Sequence, residues 1–199
     1  GINATQIERL LQAINPQAVE LHVFVPYAGP YTMALQERGA IVHLLNLPRF
    51  LSISFFWAER KLLNPVAIIA DIFLLLAYAF AIRCAVRRHK IALLHTNSII
   101  AHFAGGVAAR LTGRPCIWHM QDIIDPHHKF RRWLFRQSAA LLAERIVTIS
   151  PPVSQQFGPH LQNRITLLPY GLNIERFRTT ADTHGPLRSF AGDRLLIGL

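Results

Sequence analysis

Short apolar runs rich in β-branched residues alternate with helix-length segments along most of the chain, and this alternation constrains the fold more than any other feature. Val19 to Val25 (VELHVFV) reads as a strand, closed by Pro26 and the turn Ala28-Gly29-Pro30. Tyr31 to Arg38 reads as a short helix stopped by Gly39, and Ala40 to Leu45 as a second strand. The same order returns downstream. Strands at Ile91 to His95, Cys116 to Met120, Arg145 to Ile149 and Arg164 to Leu168 enclose helical patterns at Asn97 to Leu111, Phe130 to Leu142 and about Pro152 to Phe157. Helices are also predicted from Asn3 to Ile14, with Asn3 as N-cap, and from Asn64 to Arg88. Parallel strands need crossover connections and antiparallel ones do not, so this order predicts an α/β fold with a Rossmann-like parallel sheet flanked by helices.

Composition sets the outer bounds. A hydrophobic share of 51% against 16% charged residues, over 199 residues, allows a sizeable core and excludes disorder for most of the length. The two cysteines, Cys84 and Cys116, make neither a disulfide framework nor a CxxC metal pair, which points to a reducing, cytoplasmic setting. Twenty-one basic against 11 acidic residues give a formal net charge of +10, which favours anionic partners. The chain opens on Gly1 and stops inside the apolar run Arg194 to Leu199, after a polar stretch from Pro186 to Asp193. The expectation is a piece of a longer protein: one domain over 1–185, then a linker and the start of a second domain over 186–199.

Four segments, taken together, resemble the N-terminal half of a family 4 glycosyltransferase of the two-domain GT-B fold. They are Ile91-Ala-Leu-Leu-His-Thr-Asn-Ser98; Ala108-Ala-Arg-Leu-Thr-Gly-Arg-Pro115 with Ile117-Trp-His-Met-Gln-Asp122; Arg145-Ile-Val-Thr-Ile-Ser150 with Val153 to Phe157; and Arg164 to Phe177. Two positions depart from the family pattern: Tyr170 stands where Asn is usual, and Asn173 where Asp is usual. The resemblance implies the acceptor-binding half of an enzyme that moves a sugar from a nucleotide-sugar to a hydroxyl, with retention, on a lipid-linked or polysaccharide acceptor. It implies a nucleotide-sugar as co-substrate and no other cofactor. It also places Gly1 in the glycine-rich loop after a first strand that this chain lacks, and the donor-binding half outside the chain. The chain alone is then expected to be inactive.

Ligands of open parallel sheets collect outside the carboxyl ends of the strands. His95, Thr96, Asn97 and Ser98 fall at the end of one predicted strand, His119, Gln121 and Asp122 at the end of the next, Ser150 at the next, and Tyr170 and Gly171 after the last. Such a mixture of donors and acceptors suits sugar hydroxyls. Asn97, Ser98 and Ser150 are equally suited to capping the helices that follow. With the resemblance, His119 and Asp122 become the candidate catalytic pair: an imidazole that orients or deprotonates the acceptor hydroxyl, and a carboxylate that supports it. Gly1, His95, Asn97, Ser98, Gln121, Ser150, Tyr170 and Gly171 are the candidate substrate contacts. His119, Asp122, Asp125, His127 and His128 match no familiar metal-ligand spacing, and no metal site is expected.

Val66 to Ile82 is 17 residues with one charge, Asp71, near the lower limit for a spanning helix. A core or interfacial helix is favoured over a spanning one, because a carboxylate at the bilayer centre costs about 2.5–3.5 kcal/mol. Two basic clusters follow: Arg83, Arg87, Arg88 and Lys90, then Lys129, Arg131, Arg132 and Arg136 among Phe130, Trp133 and Phe135. The second suits an anionic lipid surface, or a solvated helix whose aromatics pack inward. Nucleic acid ranks well below, since no recognisable binding module accompanies the cations. The rival to a glycosyltransferase is therefore a non-catalytic membrane-surface protein on a Rossmann-like scaffold.

Overall fold

A computed structural model of the chain describes residues 18–46, 48, 54–57, 60–124, 129–169 and 171, with backbone only for 54–57 and 60–63. The predicted helix over 3–14 and the polar and apolar stretches over 186–199 lie outside these residues, as do Gly1, Asp125, His127, His128, Tyr170 and Asn173. Compact packing runs through Leu168; residues 169–199 group separately, with only Pro169 and Gly171 described.

The described chain opens with strand β1 (His22–Val25), helix α1 (Pro30–Glu37) and strand β2 (Ile41–Leu44). β1 and β2 pair in parallel, with His22 opposite Ile41 and Val25 opposite Leu44. Val23, Val25, Leu35 and Ala40 form a small buried cluster beneath this pair. A hairpin of β3 (Ser54–Trp57) and β4 (Arg60–Leu63) follows, antiparallel, where the sequence predicts no element.

Helix α2 (Pro65–Arg88) is 24 residues long. The Asn64 side chain caps it by accepting the Ala67 N–H at 3.2 Å, Pro65 occupies its first turn, and Arg87 and Arg88 stand in its last turn, where cations complement the helix dipole. α2 is long and apolar enough to cross a membrane, by length and composition. Its C-terminal half nonetheless packs into the core through Ala79, Ile82 and Val86.

The main sheet is built from β5 (Leu94–Thr96), β6 (Cys116–Met120), β7 (Arg145–Thr148) and β8 (Ile165–Leu167), parallel throughout and in that spatial order. Helix α3 (Ile99–Thr112) crosses from β5 to β6, α4 (Lys129–Leu142) from β6 to β7, and α5 (Pro151–Gln155) with a 3-10 turn (Pro159–Arg164) from β7 to β8. Among the described residues, every predicted strand is found within three residues of its predicted bounds. The expected single sheet is instead two: no described strand joins the β1–β2 pair to β5.

Helix α3 sets the spacing of the core. His102, Ala104, Gly105, Gly106, Ala108 and Ala109 are its buried residues, so the helix presents a small-residue face to the sheet. A Cβ on Gly105 would lie 2.6 Å from Thr96 Cγ2, and one on Gly106 would lie 2.8 Å from Leu142 Cβ. Into the resulting shallow space fits the fully buried Trp118, tilted against Phe135 at 5.5 Å between centroids and edge-on to Phe103 at 5.9 Å. The turn back to β6 uses Gly113 at φ 65°, a left-handed conformation that ends α3 at low steric cost. At the far end of α4, the Arg164 guanidinium donates to the carbonyls of Ala140 and Ala143 at 3.0 and 3.2 Å, satisfying acceptors the helix cannot.

Gly106→Ala should therefore lower stability by about 1–3 kcal/mol despite the better helix propensity of Ala, because overpacking at a rigid Cβ outweighs it. Urea unfolding measures this. Gly29→Ala, with nothing within 4 Å of the added methyl, is the matched control and should be near neutral.

Candidate functional site

The carboxyl ends of β5, β6 and β7 form one rim, since the strands are parallel. His95 and Ile117 are partners across β5 and β6, and His119 lies two residues beyond Ile117, so both histidines stand on the same face of the sheet. Their rings stack at 5.4 Å between centroids, 26° from coplanar. Crowding by protein atoms lowers the pKa of His119 below the ordinary histidine value. The same crowding lowers that of His95, with the His119 charge second, while an exposed edge of His95 leaves solvent to moderate the effect. Both shifts favour the neutral imidazole near pH 7.

On the opposite face, Thr96 points into the core. Its hydroxyl meets His102 Nδ1 at 2.7 Å and lies 3.2 Å from the Ile117 carbonyl. His102 stacks on Trp118 at 5.0 Å and 17°. Burial pushes its pKa down to about 3, with His119 and His95 adding to the effect. Sequence reading places Thr96 with the rim residues, and strand alternation instead turns it inward; His102, inside an apolar helix, carries no local signal.

The loop after β6 is held by another unpredicted residue. Gln156, buried after α5, accepts the Ile124 N–H at 2.9 Å and donates to the Asp122 carbonyl at 3.1 Å. Arg136 Nε donates to the Gln156 carbonyl in turn. The Asp122 backbone is thus anchored while its side chain is exposed. Arg136, predicted for a basic surface, serves this internal link instead. Of the neighbouring aromatics, Phe135 packs inward, whereas Phe130 and Trp133 are 71% and 53% exposed.

The remaining predicted residues sort by position. Ser98 caps α3, accepting the Ala101 N–H at 3.4 Å, and Asn97 is half-buried beside it. Ser150 holds the N-cap position of α5 without a side-chain capping bond; its carbonyl accepts the Ser154 N–H at 3.1 Å. Gln121 is half-buried directly after β6, and Gly171 is exposed. A cleft of 470 Å³ lined by Arg110, Arg114, Glu144 and Arg164 opens at the amino ends of β6 and β7, the wrong end for strand-end chemistry.

The decisive comparison is with protein families: the model of the glycosyl transferase 4-like domain matches residues 3–171. The chain belongs to that family. Among solved structures, Anabaena HepE in complex with UDP-glucose superposes on this glycosyl transferase 4-like domain with a TM-score of 0.59 at 17% identity, covering 86% of this chain and 42% of HepE. A glycosyltransferase from Rickettsia africae gives 0.55 at 15%, covering 81% and 38%. These likenesses show the fold, the Rossmann-like half of GT-B. The chain spans about two fifths of the length of these structures. A search of curated proteins returns no match.

The His102 environment fixes a pH response. Its folded pKa lies below the ordinary 6.5, so the unfolded chain takes up the proton first. Stability should be intact above about pH 6.5 and fall as pH drops from there towards about 3. Urea midpoints followed from about pH 7 to about pH 4 should decline, and His102→Gln should flatten that slope.

Proposed function

We propose that the chain is the acceptor-side domain, residues 1–185, of a retaining glycosyltransferase that moves a sugar from a nucleotide-sugar to a hydroxyl of a lipid-linked acceptor. The observation that carries this reading is the pair of neutral histidines at the carboxyl rim of the parallel sheet, in a glycosyl transferase 4-like domain. HepE is known in complex with UDP-glucose, which supports a nucleotide-sugar as donor here. No other cofactor is required by this chemistry.

His119 accepts a hydrogen bond from the acceptor hydroxyl and aligns its oxygen towards the anomeric carbon. A ring held neutral by its surroundings is suited to this, because it need not lose a proton first. His95, stacked beside it, limits the rotation of His119. Gln121 and Asp122 follow in the loop that Gln156 holds, with Asp122 available to support the sugar or the imidazole. Asn97, Ser98 and Ser150 add donors and acceptors along the rim, and Gly1, Tyr170 and Gly171 complete the proposed contact set. The negative charge that develops on the leaving diphosphate is stabilised by the donor-binding half of the longer protein, so this chain alone does not turn over.

The longer protein carries the test. His119→Gln should lower kcat by about 100-fold or more, the scale of a lost general acid–base or orienting group, with the KM for nucleotide-sugar nearly unchanged. Full activity in that variant would overturn the assignment of His119.

A lipid-linked acceptor calls for a membrane-facing surface, and α2 supplies one. Val66, Ile69, Phe73, Leu76 and Phe80 recur at spacings of three and four residues and are each 47–72% exposed. Arg87, Arg88 and Lys90 lie beyond one end of this stripe. The reading is peripheral attachment on the cytoplasmic face, with α2 in the interface plane. A non-catalytic membrane-surface protein would use the same stripe but leave the histidine rim without a task. Phe73→Ser/Phe80→Ser should weaken co-sedimentation with anionic liposomes by at least about tenfold, since each side chain buries about 1.5–3 kcal/mol of apolar transfer energy. Unchanged partitioning would remove the membrane from the proposal.

A further inference from the structure

The structure gathers three histidines far apart in sequence. His22 comes from β1, His43 from β2 and His89 from the cap that ends α2. One ring nitrogen from each lies within 4.8 Å of the other two. His22 Nδ1 is 2.8 Å from His43 Nε2, and the ring centroids of His43 and His89 are 4.4 Å apart. All three are half-buried, so they are shielded yet reachable. We propose that His22, His43 and His89 form a binding site for a borderline divalent transition ion, with Zn²⁺ as its natural class.

Three features argue for metal rather than for a packed cluster of rings. First, Glu20 Oε1 lies 2.6 Å from His22 Nε2. A carboxylate accepting the outer N–H of a histidine fixes its tautomer, so the Nδ1 lone pair of His22 faces the other two rings. This is the usual way a carboxylate orients a metal-ligating imidazole. Second, the ligand set is all imidazole, which suits Zn²⁺, Co²⁺, Ni²⁺ and Cu²⁺ and disfavours Mg²⁺ and Ca²⁺. Third, the His43 ring centroid lies 5.1 Å from that of His22 and 4.4 Å from that of His89, so the three rings converge on one space.

Little has to move. Bonds of about 2.0–2.1 Å in a tetrahedral site separate ligand nitrogens by about 3.3 Å, so His22 and His43 part by roughly half an ångström. On entry, His43 carries its single proton on Nδ1, and the ion replaces the hydrogen bond between the two rings. Each imidazole offers the ion one nitrogen lone pair, and water fills the fourth position. The site would tie the β1–β2 pair to the end of α2. That link matters because a two-stranded sheet over four buried apolar residues is marginal by itself.

The test uses the 199-residue chain. Titration with Co²⁺ should give the intense visible absorption of a low-coordinate nitrogen site at one ion per chain. Zn²⁺ should displace Co²⁺ and raise Tm, and Mg²⁺ should do neither. His22→Gln/His43→Gln should weaken Zn²⁺ binding by about 100-fold or more and abolish the Tm rise. Glu20→Gln, exposed and outside the ligand set, should weaken it by about 10–100-fold without affecting the fold. His160→Gln, an exposed histidine elsewhere, should leave it unchanged. Absence of the Co²⁺ spectrum, or equal binding by wild type and the double variant, would overturn the proposal.

Discussion

How closely helix α3 lies on strands β5 and β6 governs the rest of this domain. Gly105 and Gly106 remove the two Cβ atoms that would otherwise strike Thr96 and Leu142. The helix backbone then comes near enough for His102 to stack on Trp118 and for Phe103 to meet it edge-on. That approach has a chemical consequence, because it buries Thr96 and His102 against each other. The polar pair behind the rim and the histidine pair on it are separated only by the thickness of β5 and β6. Their electrostatic coupling follows from that geometry.

The parallel register turns a string of sequence motifs into a place. Each crossover helix returns the chain to the same end of the sheet, so His95 and His119 become neighbours although a whole helix lies between them in sequence. Gln156 performs a related service from the next crossover, holding the loop that carries Asp122. Residues that meet ligand and residues that hold loops thus come from different strands but share one edge of the fold.

Much of this was legible in the sequence. The strands read at Cys116 to Met120 and Arg145 to Ile149 were plain, as short apolar runs rich in β-branched or aromatic residues, the first entered from the turn Gly113-Arg114-Pro115. Side-chain chemistry offered Asn97 or Ser98 as the cap of α3, and the structure uses Ser98; the Asn64 cap of α2 was not read. The hairpin at 54–63 was not legible, since its apolar residues continue without a glycine or proline turn signal. Nor was the split of the sheet, which depends on which strands find partners and not on local pattern. Gln156, His102 and the His22–His43–His89 group escaped for a common reason. Each acts through a partner distant in the chain, and nothing in the local sequence announces long-range pairing. Arg136 was misread for the mirror reason, its charge suggesting a surface where the fold gives it an internal acceptor.

The strand order β5-β6-β7-β8 leaves β5 and β8 at the margins of the main sheet, with no further strand hydrogen-bonded to either among the described residues. Leu93 beside β5, and Leu167 and Leu168 at β8, add exposed apolar side chains to those margins. Open backbone donors and acceptors next to apolar surface form a template for additional strands. A further strand, from elsewhere in the same chain or from another copy of it, can pair at either border.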